Sequence, residues 1–139
     1  MANGSKSEKL RRLVGVQRQL EKLAEFELSV SVARQAEVAA SIDLTINAIS
    51  SIDPLHKQFS KNYSDRLTRL FTRSQQLAAQ QTMQEAKVLK EKTKGDRLDE
   101  RRKEAGLIEE RLLEDERMYD LLDLGLLMAT PASSKLEDP

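Results

Sequence analysis

The 139-residue chain has no cysteine and no tryptophan, only three prolines and five glycines, and 4% aromatic residues. Without cysteine there are no disulfides, thiolate nucleophiles or cysteine-ligated metals. Few aromatics means few bulky core fillers, and few prolines and glycines leave regular structure rarely interrupted. Charge of one sign is not in excess: 23 Lys and Arg face 23 Asp and Glu, which gives no electrostatic reason to expect nucleic acid. Long apolar runs are also missing. The longest cluster, LLDLGLLMA from Leu121 to Ala129, is well short of the ~20 residues of a membrane-spanning helix. The opening MANGSKSEKLRR lacks the apolar core of a signal peptide. A cytoplasmic location is the expectation.

What the chain does have is charge and helical spacing. A third of it is charged and 39% is hydrophobic, a composition suited to long helices in one domain rather than to a deep globular core. Ser5 and Glu8 have the spacing of a capping box ahead of an apolar periodic run. Asp53 followed by Pro54 is a stronger start, because the carboxylate can accept from free first-turn amides and proline at the first helical position gives up no needed donor. These signals predict a first helix over about 6–50, a turn at 51–53, and a second helix over about 54–124. Residues 1–5 and 130–139 read as disordered ends of a 6–129 domain. A short connection favours antiparallel packing. The expected fold is all-α, an antiparallel two-helix coiled-coil hairpin whose second helix is the longer.

On the first helix the apolar row expected to face the partner is Leu13, Val16, Leu20, Leu23, Ala24, Leu28, Val32, Ala39, Ile42, Ile46 and Ile49, with Gln35 on the seam. The steps of four from Ala24 to Leu28 to Val32 resemble a stutter. On the second, steps of seven join Tyr63, Leu70, Leu77, Gln84, Glu91, Leu98, Ala105, Leu112 and Tyr119, with Leu67, Val88, Ile108 and Leu122 in the partner row. The row keeps phase across Gly95, so the KGD at Lys94–Asp96 is the interior of one helix rather than a loop. Folding about 51–53 sets the start of helix 1 beside Asp96–Asp99 and leaves about Glu100–Leu122 with an unused seam. Charge is segregated there: Lys87–Lys103 holds eight basic and four acidic residues, and Glu104–Asp123 holds eight acidic and two basic.

No phosphate loop, nucleophile elbow or metal-ligand cluster is present. The one histidine, His56, reads as a surface residue of a first helical turn. Carboxylate pairs such as Glu109–Glu110 lie on an exposed helix without a cleft to shift them. No catalytic, metal or cofactor residue is assigned, and an enzyme is not expected. Two apolar features read as binding surfaces: Phe59 beside Tyr63, and the leucines around 121–128.

Gln81-Thr82-Met83-Gln84-Glu85, then eleven residues, then Arg97-Leu98-Asp99, resembles the Gln-Thr-Leu-Gln-Glu and Arg-Leu-Asp runs of FliJ, the small stalk family of flagellar type III protein export. The match covers about Gln81–Glu104, and the segment from the turn to Gln81 is shorter than in other FliJ chains. The resemblance implies an antiparallel two-helix stalk similar to the γ subunit of rotary ATP synthases. Its paired end enters the pore of a FliI-like export ATPase hexamer, and its body contacts a FlhA-like export gate, coupling ATP hydrolysis to protein export. It also implies binding of export chaperones and peripheral association with the export machinery at the inner membrane beneath the flagellum. On that reading Arg97, Leu98, Asp99, Arg101 and Arg102 face the ATPase, and Gln58, Phe59 and Tyr63 face the gate. The alternatives are the equivalent stalk of a virulence secretion system and a self-associating coiled-coil adaptor.

Overall fold

Asp53 and Pro54 start a helix where the sequence puts one. In the computed structural model, which describes residues 4–136 with side chains placed through Ala129, the chain is helical and no strand occurs among the described residues. Helix α1 spans Lys6–Ser50, α2 spans Pro54–Gln58 and α3 spans Ser60–Leu136. The Ser5 hydroxyl accepts from the Glu8 amide at 3.3 Å, half of the expected capping box. At α2 the Asp53 carboxylate accepts from the Leu55 amide at 3.0 Å, with Pro54 in the first turn.

The expected single second helix is interrupted at one residue. Phe59, at φ −103° and ψ 12°, donates its amide to the His56 carbonyl at 3.2 Å and accepts at its own carbonyl from the Tyr63 amide at 3.0 Å. The backbone thus tightens at the end of α2 and restarts as α3 without a loop. Helix α3 continues through Gly95, as the heptad phase predicts, and is helical to Leu136, past the end expected near 124. Of the expected disordered ends, residues 1–3 and 137–139 lie outside the described residues.

The chain divides into two compact units, Gly15–Asp96 and Met1–Val14 with Arg97–Pro139. Within the Gly15–Asp96 unit, α1 and α3 contact each other in opposite order: Gln17 meets Glu91 and Glu27 meets Lys87. The buried and half-buried row on α1 is Gln17, Glu21, Ala24, Leu28, Ser31, Gln35, Val38, Ile42 and Thr45. Facing it on α3 are Tyr63, Leu67, Leu70, Ser74, Leu77, Gln81, Gln84, Val88, Glu91 and Gly95. Both rows keep strict three–four alternation. Leu77, at 1% exposure, is the largest fully buried side chain. Gln84 Oε1 is buried without a hydrogen-bond partner among the described residues.

These rows correct the expected seam of α1. Ala24, Leu28, Gln35 and Ile42 lie on it, but Leu13, Val16, Leu20, Leu23, Val32, Ala39, Ile46 and Ile49 are exposed. The actual row sits one position over and has no stutter. Its small residues, Ala24 and Ser31, each 2% exposed, let the helices approach. Of its polar residues, Gln17 bonds Glu91 on α3, whereas Glu21 and Thr45 bond Arg18 and Ser41 within α1 itself. In the other unit the inward positions are Ser7, Leu10 and Val14 on α1, and Leu98, Arg102, Ala105 and Glu109 on α3. Here α3 follows expectation as far as Ala105. The start of α1 lies beside Glu109, through the Ser7 amide, rather than beside Asp96–Asp99 as expected, so the seam is used as far as Glu109; Ile108, Leu112, Tyr119 and Leu122 are exposed.

Candidate functional site

The side chains expected to face an ATPase occupy two turns of α3 and separate into two kinds. Arg97 and Arg101 are exposed, whereas Leu98, Asp99 and Arg102 are half-buried. Arg102 Nε donates to Asp99 at 2.9 Å, and Lys103 Nζ lies 3.6 Å from the same carboxylate. The Arg102 hydrogen bond, then the charges of Arg102 and Lys103, hold the Asp99 carboxyl below its ordinary value despite partial desolvation. Asp99 and Arg102 are therefore engaged with each other along one helix, and Arg97 and Arg101 are exposed cations with no ion pair among the described residues. Arg101 borders an open groove with Lys6, Leu10, Glu104, Ala105, Ile108 and Glu109. Arg102 and Lys103 border a second one with Ser7, Arg11 and Leu107.

The gate-side candidates converge on the α2–α3 joint. Gln58 ends α2, Phe59 is the joint, 41% exposed, and Tyr63 lies in the first turn of α3. Tyr63 is half-buried, its hydroxyl 3.1 Å from His56 Nδ1 and its ring 5.9 Å from the imidazole centroid at 48°. His56 is thus half-buried against Tyr63 rather than the plain surface residue the sequence suggests. Phe59 is the more accessible aromatic of the pair.

The Gln81–Glu85 motif lies on an unbroken stretch of α3. Gln81 and Gln84 fall on the inward row, while Thr82, Met83 and Glu85 face outward, Met83 at 74% exposure. Gln81 donates to Glu85 at 3.1 Å, and the Thr82 hydroxyl donates to the Ala78 carbonyl at 3.1 Å.

Two cross-helix polar pairs were not legible in the sequence. The Ser7 amide donates to Glu109 Oε1 at 3.0 Å, and its hydroxyl donates to the other carboxylate oxygen. Gln17 Nε2 donates to the Glu91 carbonyl at 3.0 Å and to the Glu91 carboxylate. The Ser7 bonds hold Glu109 below its ordinary pKa, and the Gln17 bond does the same for Glu91. Inward polar pairs of this kind fix which residue faces which. The signal that could have found them is a seam phase in which polar residues on both helices coincide.

Gly95 is a third point of contact. A Cβ built on it would lie 2.7 Å from Arg18 Nη1 and 3.1 Å from Arg18 Cζ. The guanidinium crosses the glycine and donates to Asp96 and to Glu21 at 2.9 and 2.8 Å. Glycine on the seam leaves room for an arginine from α1.

No group of three or more His, Cys, Asp and Glu among the described residues could hold a metal ion. No helix among them is long and apolar enough to cross a membrane. No protein-family model, curated protein or solved structure matches the chain.

Proposed function

We propose that the chain is a FliJ-like stalk of a type III export apparatus, folded as an antiparallel two-helix coiled-coil hairpin. It docks with a FliI-like ATPase hexamer, contacts a FlhA-like gate and couples ATP hydrolysis to protein export. It works without a cofactor, as a binding component rather than an enzyme, in the cytoplasm and peripheral to the inner membrane, where export chaperones are further partners. The supporting observation is that Gln81–Glu85 and Arg97–Asp99 both belong to the one helix α3, with no loop in the sequence between them. Opposite-order contacts between α1 and α3 and strict three–four burial rows favour the hairpin. Arg97 and Arg101, exposed and not ion-paired among the described residues, suit adjustable polar contact with a ring.

A clean deletion tests this. Secretion of flagellar or virulence substrates into the medium is expected to fail and to return when the gene is restored, and the class of substrate lost distinguishes the two export systems. Normal secretion of both classes rejects the stalk.

A self-associating adaptor is the second reading. The exposed apolar side chains after Ala105 favour it, and the excess of acids among them weighs against it. Sedimentation separates the two: a tight dimer that is lost on truncation after Glu104 supports the adaptor.

A further inference from the structure

Beyond Ala105, α3 presents an apolar stripe that nothing described covers. Leu107, Ile108, Leu112, Met118, Tyr119 and Leu122 are 56–68% exposed. At 3.6 residues per turn they fall within an arc of about 140°, wide enough to receive a helix. Acidic residues rim it: Glu116, Asp120 and Asp123 on one side, Glu110 and Glu114 on the other, with Asp115 and Arg111 on the stripe itself. None of these acids is ion-paired among the described residues. The contrast with the preceding turns is sharp, where Glu91, Asp99 and Asp96 all hold cations.

We propose that this stripe is a docking site for a basic amphipathic helix of a partner protein. Apolar anchors at helical spacing would fill the stripe, and lysines or arginines beside them would meet the unpaired carboxylates. A second copy of the chain fits poorly. Pairing the stripe with itself sets eight acidic and two basic residues of Glu104–Asp123 against an identical set, and like charges across an interface are costly. The chain's own basic segment, Lys87–Lys103, cannot supply the partner helix either. Its Val88 and Leu98 are turned inward, and Lys87, Lys94, Arg102 and Lys103 are already paired. The inference stands on exposure and charge and does not depend on the export reading.

The test uses the full chain and two labelled synthetic helical peptides, each with leucines at a and d positions. One has lysines at e and g, the other glutamates. Fluorescence anisotropy is expected to show binding of the lysine peptide, weakened several-fold by raising salt because the rim charges are exposed to screening. Leu112→Asp or Tyr119→Asp should weaken it by about tenfold or more, as truncation of a central anchor does. Leu44→Asp, a change at another exposed apolar site, should leave it unchanged. All three sites are exposed, so circular dichroism should report unchanged helicity. Equal binding of the glutamate peptide, no binding of either, or indifference to Leu112→Asp overturns the proposal. So does a dimer in sedimentation equilibrium that Leu112→Asp dissolves, which would make a second copy the occupant.

Discussion

Replacing Gly95 with alanine sets two effects of opposite sign against each other. Alanine in a helix interior is favoured over glycine by about 1 kcal/mol, because the glycine backbone has more freedom to lose. Against this, the new methyl would sit 2.7 Å from Arg18 Nη1, too close for both to stay in place. The atom in the way is the tip of a flexible side chain rather than backbone, so it can swing aside. What the swing sacrifices is the pairing of Arg18, 35% exposed, with Asp96 and Glu21, 54% and 13% exposed; the Asp96 pair is exposed, weak and screened, and a within-helix pair such as Arg18–Glu21 is worth about 0.2–0.5 kcal/mol. The propensity term should win. Gly95→Ala is expected to raise the melting temperature, by up to about 3–5 °C for the full ~1 kcal/mol, in far-UV circular dichroism. In an Arg18→Ala background, where nothing obstructs the methyl, the gain should be at least as large. A loss of stability in both backgrounds would refute the reasoning, since it would place the α1 backbone, and not the Arg18 side chain, against Gly95.

Three further outcomes follow from the burial and the polar pairs. Leu77→Ala, at 1% exposure, should cost about 2–5 kcal/mol in chemical denaturation, whereas Leu20→Ala, at 46% exposure, should fall within about 0.5 kcal/mol of wild type; a large loss at Leu20 would restore the seam the apolar residues suggest. Glu91 and Glu109 have folded pKa values below their ordinary 4.5, and Asp99 below its ordinary 3.8, so each adds stability that is present above the unfolded value and lost as pH falls through the folded one. The melting temperature should accordingly drop on acidification below 4.5, and Glu109→Gln, which cannot titrate, should flatten part of that drop; an unchanged acid limb would mean the Ser7–Glu109 contact contributes nothing. Asp53→Ala removes the cap on α2, worth about 1 kcal/mol, and should speed amide exchange at Leu55 while leaving α3 protected.

How much of this was legible in the sequence differs by element. The ends of α1 and the start of α2 were, because Ser5, Asp53 and Pro54 act on neighbouring amides and need no tertiary context. The row of α3 was legible to Ala105, since its apolar residues recur every seven and keep phase through Gly95. The seam of α1 was not. That helix carries two adjacent stripes, and the richer one, Leu13, Val16, Leu20 and Leu23, is exposed, while the buried one is built from Gln17, Glu21, Ala24 and Ser31. Hydrophobicity alone selects the wrong stripe, because the buried one is made of small and polar residues, and the partner of Gln17, Glu91, lies far away in sequence. The break at Phe59 was not legible either, as no glycine or proline marks it. Of the candidate sites, the sequence placed Arg97 to Arg102 on one helix but did not show that Asp99 and Arg102 are occupied with each other, that Gln58 and Tyr63 fall on either side of the Phe59 break, or that Tyr63 is held by His56.

The claim most in need of a direct test is that the chain is the stalk of an export ATPase. Tagged chain should be recovered from its native cell under mild lysis together with whatever it binds. The account predicts a hexameric rotary-type ATPase in that fraction, and its loss when Arg97 and Arg101, both exposed, are changed together to glutamate with helicity intact. Recovery without any ATPase, or with the same amount from the doubly substituted chain, would contradict it.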